Sequence, residues 1–526
     1  MYAVLRLSTR LAGLVCALLL VGRAPALAQD RSGARYDLVI VNGRVIDPQN
    51  GLDAVRNVGV RGNRIAAIAT GPLKGTTTID AKGLVVAPGF IDLHAHGQQM
   101  AAARMQAFDG VTTALELESG VLPVAAAYDQ MAREGRPINY GVSAAWLYGR
   151  IAEKEGMEPE PTLEFFQKAQ TFKNWQNTLA TPEETSRILA RVEQGLKEGA
   201  IGIGINAGYA PGYGRKEYFA LAQLAKKYEV GTFTHVRYLS VIEPRGSFEA
   251  YEELIALAAS TGAHMHICHL NSISTRDIGP ISELIRGAQS RGVKVTTEAY
   301  PYAAGSTVVG AEIFRGNWRE RMGGAKASDI ELAGRPFNDS SLAQAQEKSP
   351  GSLVVIHFMR PEASEADQAY LDQAVLFPGG AIASDGMPWV SLGKTVTGDV
   401  WPLPADAFAH PRSAGTFTRF LRDYVRERKK VSLREALRKM TLIPAQILEE
   451  SVPQMRKKGR LQVGADADIV VFDEATVADR ATYTQPNQTA AGMKYVLVNG
   501  VAIIRDGVLV REALPGKAIR RESTAR

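Results

Sequence analysis

A chain of 526 residues with 45% hydrophobic and 22% charged side chains has the make-up of an ordinary globular protein, long enough for a large buried core. This excludes a disordered or fibrous chain. The formal charge of +6 includes no basic stripe with interleaved aromatics, which excludes a nucleic-acid footprint; Arg426-Glu427-Arg428-Lys429-Lys430 reads as a solvated helix end.

Residues 1–28 read as an export signal. Arg6 and Arg10 precede an apolar stretch from Leu11 to Val21, and Ala26-Leu27-Ala28 fits a small-x-small cleavage site. The apolar run is too short for a permanent transmembrane anchor. A soluble exported protein without a membrane anchor is expected, with the bacterial periplasm as its compartment. Cleavage removes Arg6, Arg10 and Arg23, which lowers the formal charge to +3, and leaves Cys268 as the only cysteine, so no intrachain disulfide can form.

Residues 29–86 read as short strands and turns. Tyr36–Val41 and Arg44–Asp47 flank Asn42-Gly43, a hairpin signal. The end of the chain, 446–526, has the same character, with Ala467–Phe472 and with Tyr495–Val501 around Asn499-Gly500. The likeness of Ile40-Val41-Asn42-Gly43 to Leu497-Val498-Asn499-Gly500 predicts one small β-sandwich domain built from both chain ends.

Between them, over 87–445, apolar strand-like runs alternate with amphipathic stretches. Strands are expected near 87–93, 112–118, 138–145, 200–206, 230–236, 263–270, 293–299, 353–357 and 380–384, and helices over 183–198, 215–228, 248–261 and 277–291. Such alternation predicts an α/β fold with a parallel sheet, and its length favours a closed (β/α)8 TIM-like barrel. Nine candidates compete for eight places. The Pro-, Gly- and charge-rich stretches 150–180 and 310–350 read as insertions over the barrel mouth.

Reactive residues in such barrels stand at the C-terminal strand ends. The first strand leads into Asp92-Leu93-His94-Ala95-His96, where two imidazoles at i and i+2 point to one side. The second carries Glu116 and Glu118, again at i and i+2. Later strands end in His235, in His264-Met265-His266-Ile267-Cys268-His269 and in Asp385. Singly, each has an innocent explanation: a core histidine, a surface carboxylate, a turn aspartate. Together, imidazoles and carboxylates at strand ends suit a divalent metal that activates water. His264 and His266 share a face that His269 does not, and read as buried or rim histidines. Cys268 reads as core packing, and an exposed loop is the simplest place for Lys394 and for Arg412.

These residues lie in motifs that resemble the amidohydrolase superfamily, and within it the N-acyl-D-amino-acid deacylases. The resemblance spans about residues 36–515. It rests on Pro88-Gly89-Phe90-Ile91-Asp92-Leu93-His94-Ala95-His96, Gly110-Val111-Thr112-Thr113, Thr234-His235-Val236-Arg237, Ala299-Tyr300-Pro301-Tyr302, Ser384-Asp385-Gly386 and His410-Pro411-Arg412. It implies Zn²⁺, one ion or two, on His94, His96, His235 and His269. It further implies Asp385 as the residue that takes a proton from the attacking water and passes it to the leaving amine, and Tyr302 as the phenol at the developing oxyanion, with Tyr300 as the alternative. Arg237, Lys394 and Arg412 are candidates for gripping a substrate carboxylate.

Two departures from the family pattern matter, one at the bridging ligand and the other at Asn271. Leu117-Glu118-Ser119-Gly120 stands where typical relatives carry a metal-binding cysteine, and 200–206 contains no lysine to serve as a carbamylated bridge. Glu118 is the best substitute, with Glu116 second. Asn271 stands where relatives usually have lysine. The implied function is metal-dependent hydrolysis of a linear amide, with an N-acyl-D-amino acid as substrate and no nucleic-acid partner. A periplasmic dipeptidase or isopeptidase, a cyclic-amide hydrolase of the dihydroorotase or hydantoinase type, and a metal-free ligand-binding barrel are the alternatives. Self-association into a homo-oligomer is left open.

Overall fold

The computed structural model describes residues 35–522. The export signal expected over 1–28 lies outside them. Eight parallel strands form the central sheet: β1 (Phe90–Asp92), β2 (Val111–Val121), β3 (Asn139–Ala145), β4 (Ile203–Asn206), β5 (Gly231–His235), β6 (His264–Ile267), β7 (Val295–Ala299) and β8 (Ala381–Ile382). They are paired in chain order around a barrel. The circle closes without a β8–β1 ladder. A bridge between Ala95 and Gly386 spans the gap, and buried Asp92 accepts hydrogen bonds from Ser384 N, Ser384 Oγ and Gln106 Nε2. Burial pushes the Asp92 carboxyl up to about 6 despite these donors.

Helices cover the outside where amphipathic runs predict them: Pro182–Lys197, Arg215–Lys227, Ser247–Thr261 and Ile278–Ser290. The first shows why its start is legible. Thr181 and Glu184 form a reciprocal capping box around Pro182, which occupies a position where no N–H is needed.

The expected strand at 353–357 is real but lies outside the barrel. Leu353–His357 pairs antiparallel with Ala304–Val308 and with Ile330–Leu332, in a sheet set by the insertion. An isolated apolar run looks the same in either place, because periodicity reports burial and not the identity of the partner.

The lower barrel is filled. Ile91, Leu115, Leu117, Ile201, Phe233 and Cys268 pack there against Ile443, Leu448 and Ile519 from later segments. The strands from the two chain ends join into one nine-stranded sheet around its own apolar core. Gly89 is the pivot between strand Val85–Pro88 of that sheet and β1; a Cβ there would stand 2.2 Å from Thr112 Oγ1.

The two Asn-Gly pairs do different work. Asn499-Gly500 makes the expected tight turn between Met493–Val498 and Val501–Arg505, with both residues at positive φ. Asn42-Gly43, expected to be a hairpin, instead lies inside one continuous strand, Tyr36–Asp47. It forms a bulge opposite Val58 and Arg56, stabilised by Asn57 Oδ1 accepting from Asn42 N and Asp80 Oδ1 from Asn42 Nδ2. Gly43 admits the Val86 side chain, whose Cγ2 would be 2.4 Å from an added Cβ.

Candidate active site at the mouth of the barrel

The strand ends converge on one buried cluster. His94 and His96 place their Nε2 atoms 3.1 Å apart. Glu118 Oε2 stands 3.4 and 3.5 Å from these nitrogens, and Asp385 Oδ1 3.4 and 3.2 Å. Four atoms held 2.0–2.1 Å from one tetrahedral zinc are separated by about 3.3–3.4 Å, so these spacings are those of a ligand set. Glu118 also faces the other way: its Oε1 lies 2.6 Å from His269 Nε2 and 3.2 Å from His235 Nδ1. One carboxylate therefore stands between two histidine pairs, in the position of a bridge. Burial opposes its ionisation, but His94 and His269 hold it well below the ordinary carboxylate range.

The partners on the far side of each ring orient the imidazoles. His94 Nδ1 meets Glu298 Oε1 at 2.6 Å and His96 Nδ1 meets Glu116 Oε2 at 2.9 Å, which leaves both Nε2 atoms for the shared point. His269 Nδ1 is 3.1 Å from Ser272 Oγ. Asn206, at the end of β4, donates to Glu118 Oε2 at 2.9 Å. No lysine stands on that strand. The His/carboxylate donor set, its spacings and its oriented nitrogens all fit a divalent metal.

Asp385 sits at a φ of +52° three residues beyond the end of β8, with its carboxylate against the cluster. Arg412, expected on an exposed loop, is instead buried at the start of a helix and binds it twice, through Nη2 to Oδ2 at 2.8 Å and through Nε to its carbonyl at 2.7 Å. Burial alone would raise the Asp385 carboxyl; Arg412 and His94 reverse that and hold it low. The Tyr300 ring lies under the Arg412 guanidinium, 4.5 Å from its centre, and lines the cavity above the cluster. Tyr302, the first choice from sequence for the oxyanion phenol, is elsewhere. Its hydroxyl donates to Gly415 O at 3.1 Å and its ring packs against His410. Pro301 between the two tyrosines turns the chain, and only Tyr300 reaches the mouth.

The cation candidates also separate. Arg237 is committed to Glu253 through two bonds of 2.7 and 2.9 Å and to the carbonyl of Tyr213, and lines a neighbouring cavity. Lys394 is exposed in the hairpin of Val390–Ser391 and Lys394–Thr395, as expected. His264 and His266 share the hydroxyl of Thr296, and His266 Nε2 lies 3.2 Å from Glu298 Oε2, so both are outside the ligand set. His357 stacks edge-on with Tyr483, away from the cavity wall.

A model of the amidohydrolase family matches residues 77–278 and 270–504. The chain belongs to the amidohydrolase family. It is 28% identical over 518 residues to an N-acyl-D-glutamate deacylase of Alcaligenes xylosoxydans xylosoxydans, covering 93% of this chain and 98% of that one. It is 29% identical over 503 residues to a D-aminoacylase of the same organism, covering 89% and 94%. Among solved structures, an N-acyl-D-glutamate deacylase of Bordetella bronchiseptica with zinc and a phosphonate inhibitor shares the fold, with a TM-score of 0.73 at 24% identity over 93% of this chain and all of that one. The protein is a metal-dependent enzyme of amide hydrolysis.

Three residues of this amidohydrolase's site escape sequence reasoning. Glu298 and Asn206 stand at strand ends, where the rule that found the histidines also applies; what hid them was the lack of a second charged or imidazole side chain two residues away. Asp92 lies in the most conspicuous motif, yet its part is to close the barrel. A cavity of about 240 Å³ opens above the cluster. The insertions supply part of its wall, with Leu163 and Phe166 from one and Ile313 from the other.

Proposed function

We propose that this enzyme hydrolyses N-acyl-D-amino acids to a carboxylic acid and a free D-amino acid. The observation that carries the chemistry is Glu118 between the pairs His94/His96 and His235/His269, with Asp385 facing the first pair. The likeness to deacylases of N-acyl-D-amino acids supports the substrate class. His94, His96, Glu118, His235 and His269 would hold zinc, one ion or two. Bound zinc supplies a Lewis acid and lowers the pKa of water toward neutrality.

Asp385 enters the reaction ionised, because Arg412 holds its Oδ2. Its Oδ1, which faces His94 Nε2 and His96 Nε2, is the atom that would accept the proton of the attacking water and then deliver it to the leaving nitrogen. Tyr300 stays a phenol: burial pushes it up to about 12, so it remains a donor to the carbonyl oxygen as charge grows there. The second terminal nitrogen of Arg412 is buried without a hydrogen-bond partner, 3.7 Å from where a Cβ on cavity-lining Gly305 would stand. It is placed to meet the single carboxylate of the amino-acid product. A cyclic-amide hydrolase is disfavoured by β4, which holds Asn206 and no lysine.

The test is metal content measured together with amine release from N-acetyl-D- and N-acetyl-L-amino acids, dipeptides and dihydroorotate. D-selective release that chelation abolishes is expected. Bound metal with turnover of dipeptides or dihydroorotate alone would discard the substrate class. Tyr300→Phe should cost about 10²-fold in kcat through its lost hydroxyl, while Tyr302→Phe leaves kcat unchanged. Residues 1–28 support a periplasmic enzyme; N-terminal sequencing of the exported protein should find a start near residue 29.

A further inference from the structure

The relatives named above include an enzyme for an acidic D-amino acid and one named without a side chain. The cavity of this protein distinguishes these cases. Among the described residues, no lysine or arginine lines it. The charged side chains that do are Glu116, Glu118, Asp385 and Glu164, all anionic. The first is paired with His96, the next two belong to the metal cluster, and Glu164 is exposed in helix Leu163–Ala169.

Apart from neutral polar residues such as Gln98, Gln99 and Thr162, one broad stretch of the wall is apolar and aromatic. Phe166, Tyr209, Ile313, Leu353, Ile356 and Phe358 face the space. Leu353 and Ile356 belong to the buried cluster of the insertion sheet, and Phe166, Tyr209 and Ile313 pack against that same cluster. The wall is thus the outer surface of a packed core rather than a set of mobile side chains. Tyr209 fixes its hydroxyl on Thr307 Oγ1 at 2.8 Å and presents its ring.

The cations that could have neutralised a second carboxylate are accounted for. Arg237 is spent on Glu253. Lys394 is exposed on its hairpin and outside the lining. Asn271 is uncharged and spends its amide on Tyr302 O and Tyr300 N. Arg412 adjoins the cavity from behind Gly305 and Asp385, and Arg136, which adjoins it behind Gln98, is paired with Glu134. One carboxylate of a substrate can be met; a second would lose its water and gain no partner.

We infer that the cavity selects N-acyl-D-amino acids with an uncharged, apolar side chain and rejects those with an acidic one, and that Phe166, Tyr209, Ile356 and Phe358 determine this specificity. The inference rests on the deacylase function proposed above. It is tested on the zinc-loaded full chain with N-acetyl-D-leucine, N-acetyl-D-phenylalanine, N-acetyl-D-glutamine, N-acetyl-D-glutamate and N-acetyl-D-aspartate. The glutamine and glutamate derivatives have nearly the same shape, so their ratio reads charge alone. A kcat/KM at least about 100-fold higher for leucine or phenylalanine than for glutamate is expected, with glutamine at least about 10-fold above glutamate. Equal or better turnover of glutamate or aspartate would overturn the inference and leave the deacylase function standing. No amine release from any of the five would remove the deacylase function itself, and the specificity with it.

Discussion

The two ends of the barrel are built from the same eight strands and have opposite contents. At the lower end Ile91, Leu115, Leu117, Ile201 and Phe233 close into an apolar plug that later segments seal. At the upper end His94, His96, Glu118, His235, His269 and Asp385 crowd within a few ångströms of one another. β2 carries both, with Leu115 and Leu117 facing one way and Glu116 and Glu118 the other. The contrast separates stability from chemistry: the plug makes the barrel rigid, and that rigidity lets like-charged carboxylates and clustered imidazoles be held together at the mouth. A cluster of this kind is costly without its metal, and the fold offsets the cost elsewhere.

Changes at either end should therefore leave different signatures. The largest effect is expected from Asp385→Asn, which keeps the Arg412 contact through its side-chain oxygen but removes the base. A loss of about 10³-fold or more in kcat, with metal content unchanged, is expected by steady-state kinetics and metal analysis. Near-normal turnover would take Asp385 out of the proton transfers. Phe233→Ala at the plug should cost about 3–5 kcal/mol in denaturant unfolding, with kcat per folded molecule preserved. If kcat fell as far as stability, the two ends would not be separable.

Glu298→Gln tests the layer between them. The amide can no longer hold His94 Nδ1–H as a carboxylate does, and zinc affinity measured by chelator competition should fall about 10–100-fold. The smallest effect concerns His410, buried beneath the mouth with Nδ1 accepting from Arg412 N. Burial, and then the charge of Arg412, hold this histidine well below its ordinary range. It stays neutral in the folded state and gains a proton on unfolding once the pH falls below about 6.5. Stability should then fall with acidification by about 1.4 kcal/mol per pH unit from this group. His410→Asn, which retains an acceptor for Arg412 N, should flatten the slope between pH 7 and pH 5 in urea melts. An unchanged slope would show that His410 does not titrate on unfolding.

Much of this was legible along the chain. The alternation of apolar runs with capped amphipathic helices predicts the barrel, because burial on both faces makes parallel strands uniformly apolar. The His-x-His and Glu-x-Glu spacings predict convergent side chains, because a strand repeats every two residues. What could not be read was the identity of partners. Asn42-Gly43 and Asn499-Gly500 are the same dipeptide, yet one is a bulge and the other a turn, since the neighbours Val86 and Asp80 come from elsewhere in the chain. Strand 353–357 could not be told from a barrel strand for the same reason.

The sequence by itself determined the fold class and brought out the histidines, carboxylates and Asp385 that the structure gathers at the barrel mouth, all of which depend on local period and on motifs a few residues long. The tertiary structure decided which tyrosine faces the cavity, that Arg237 is tied to Glu253, and that Glu118 stands between the histidine pairs while Glu116 turns to His96 Nδ1. These depend on which of two adjacent directions a side chain takes and on what meets it there, and both are set by packing between segments far apart in the chain.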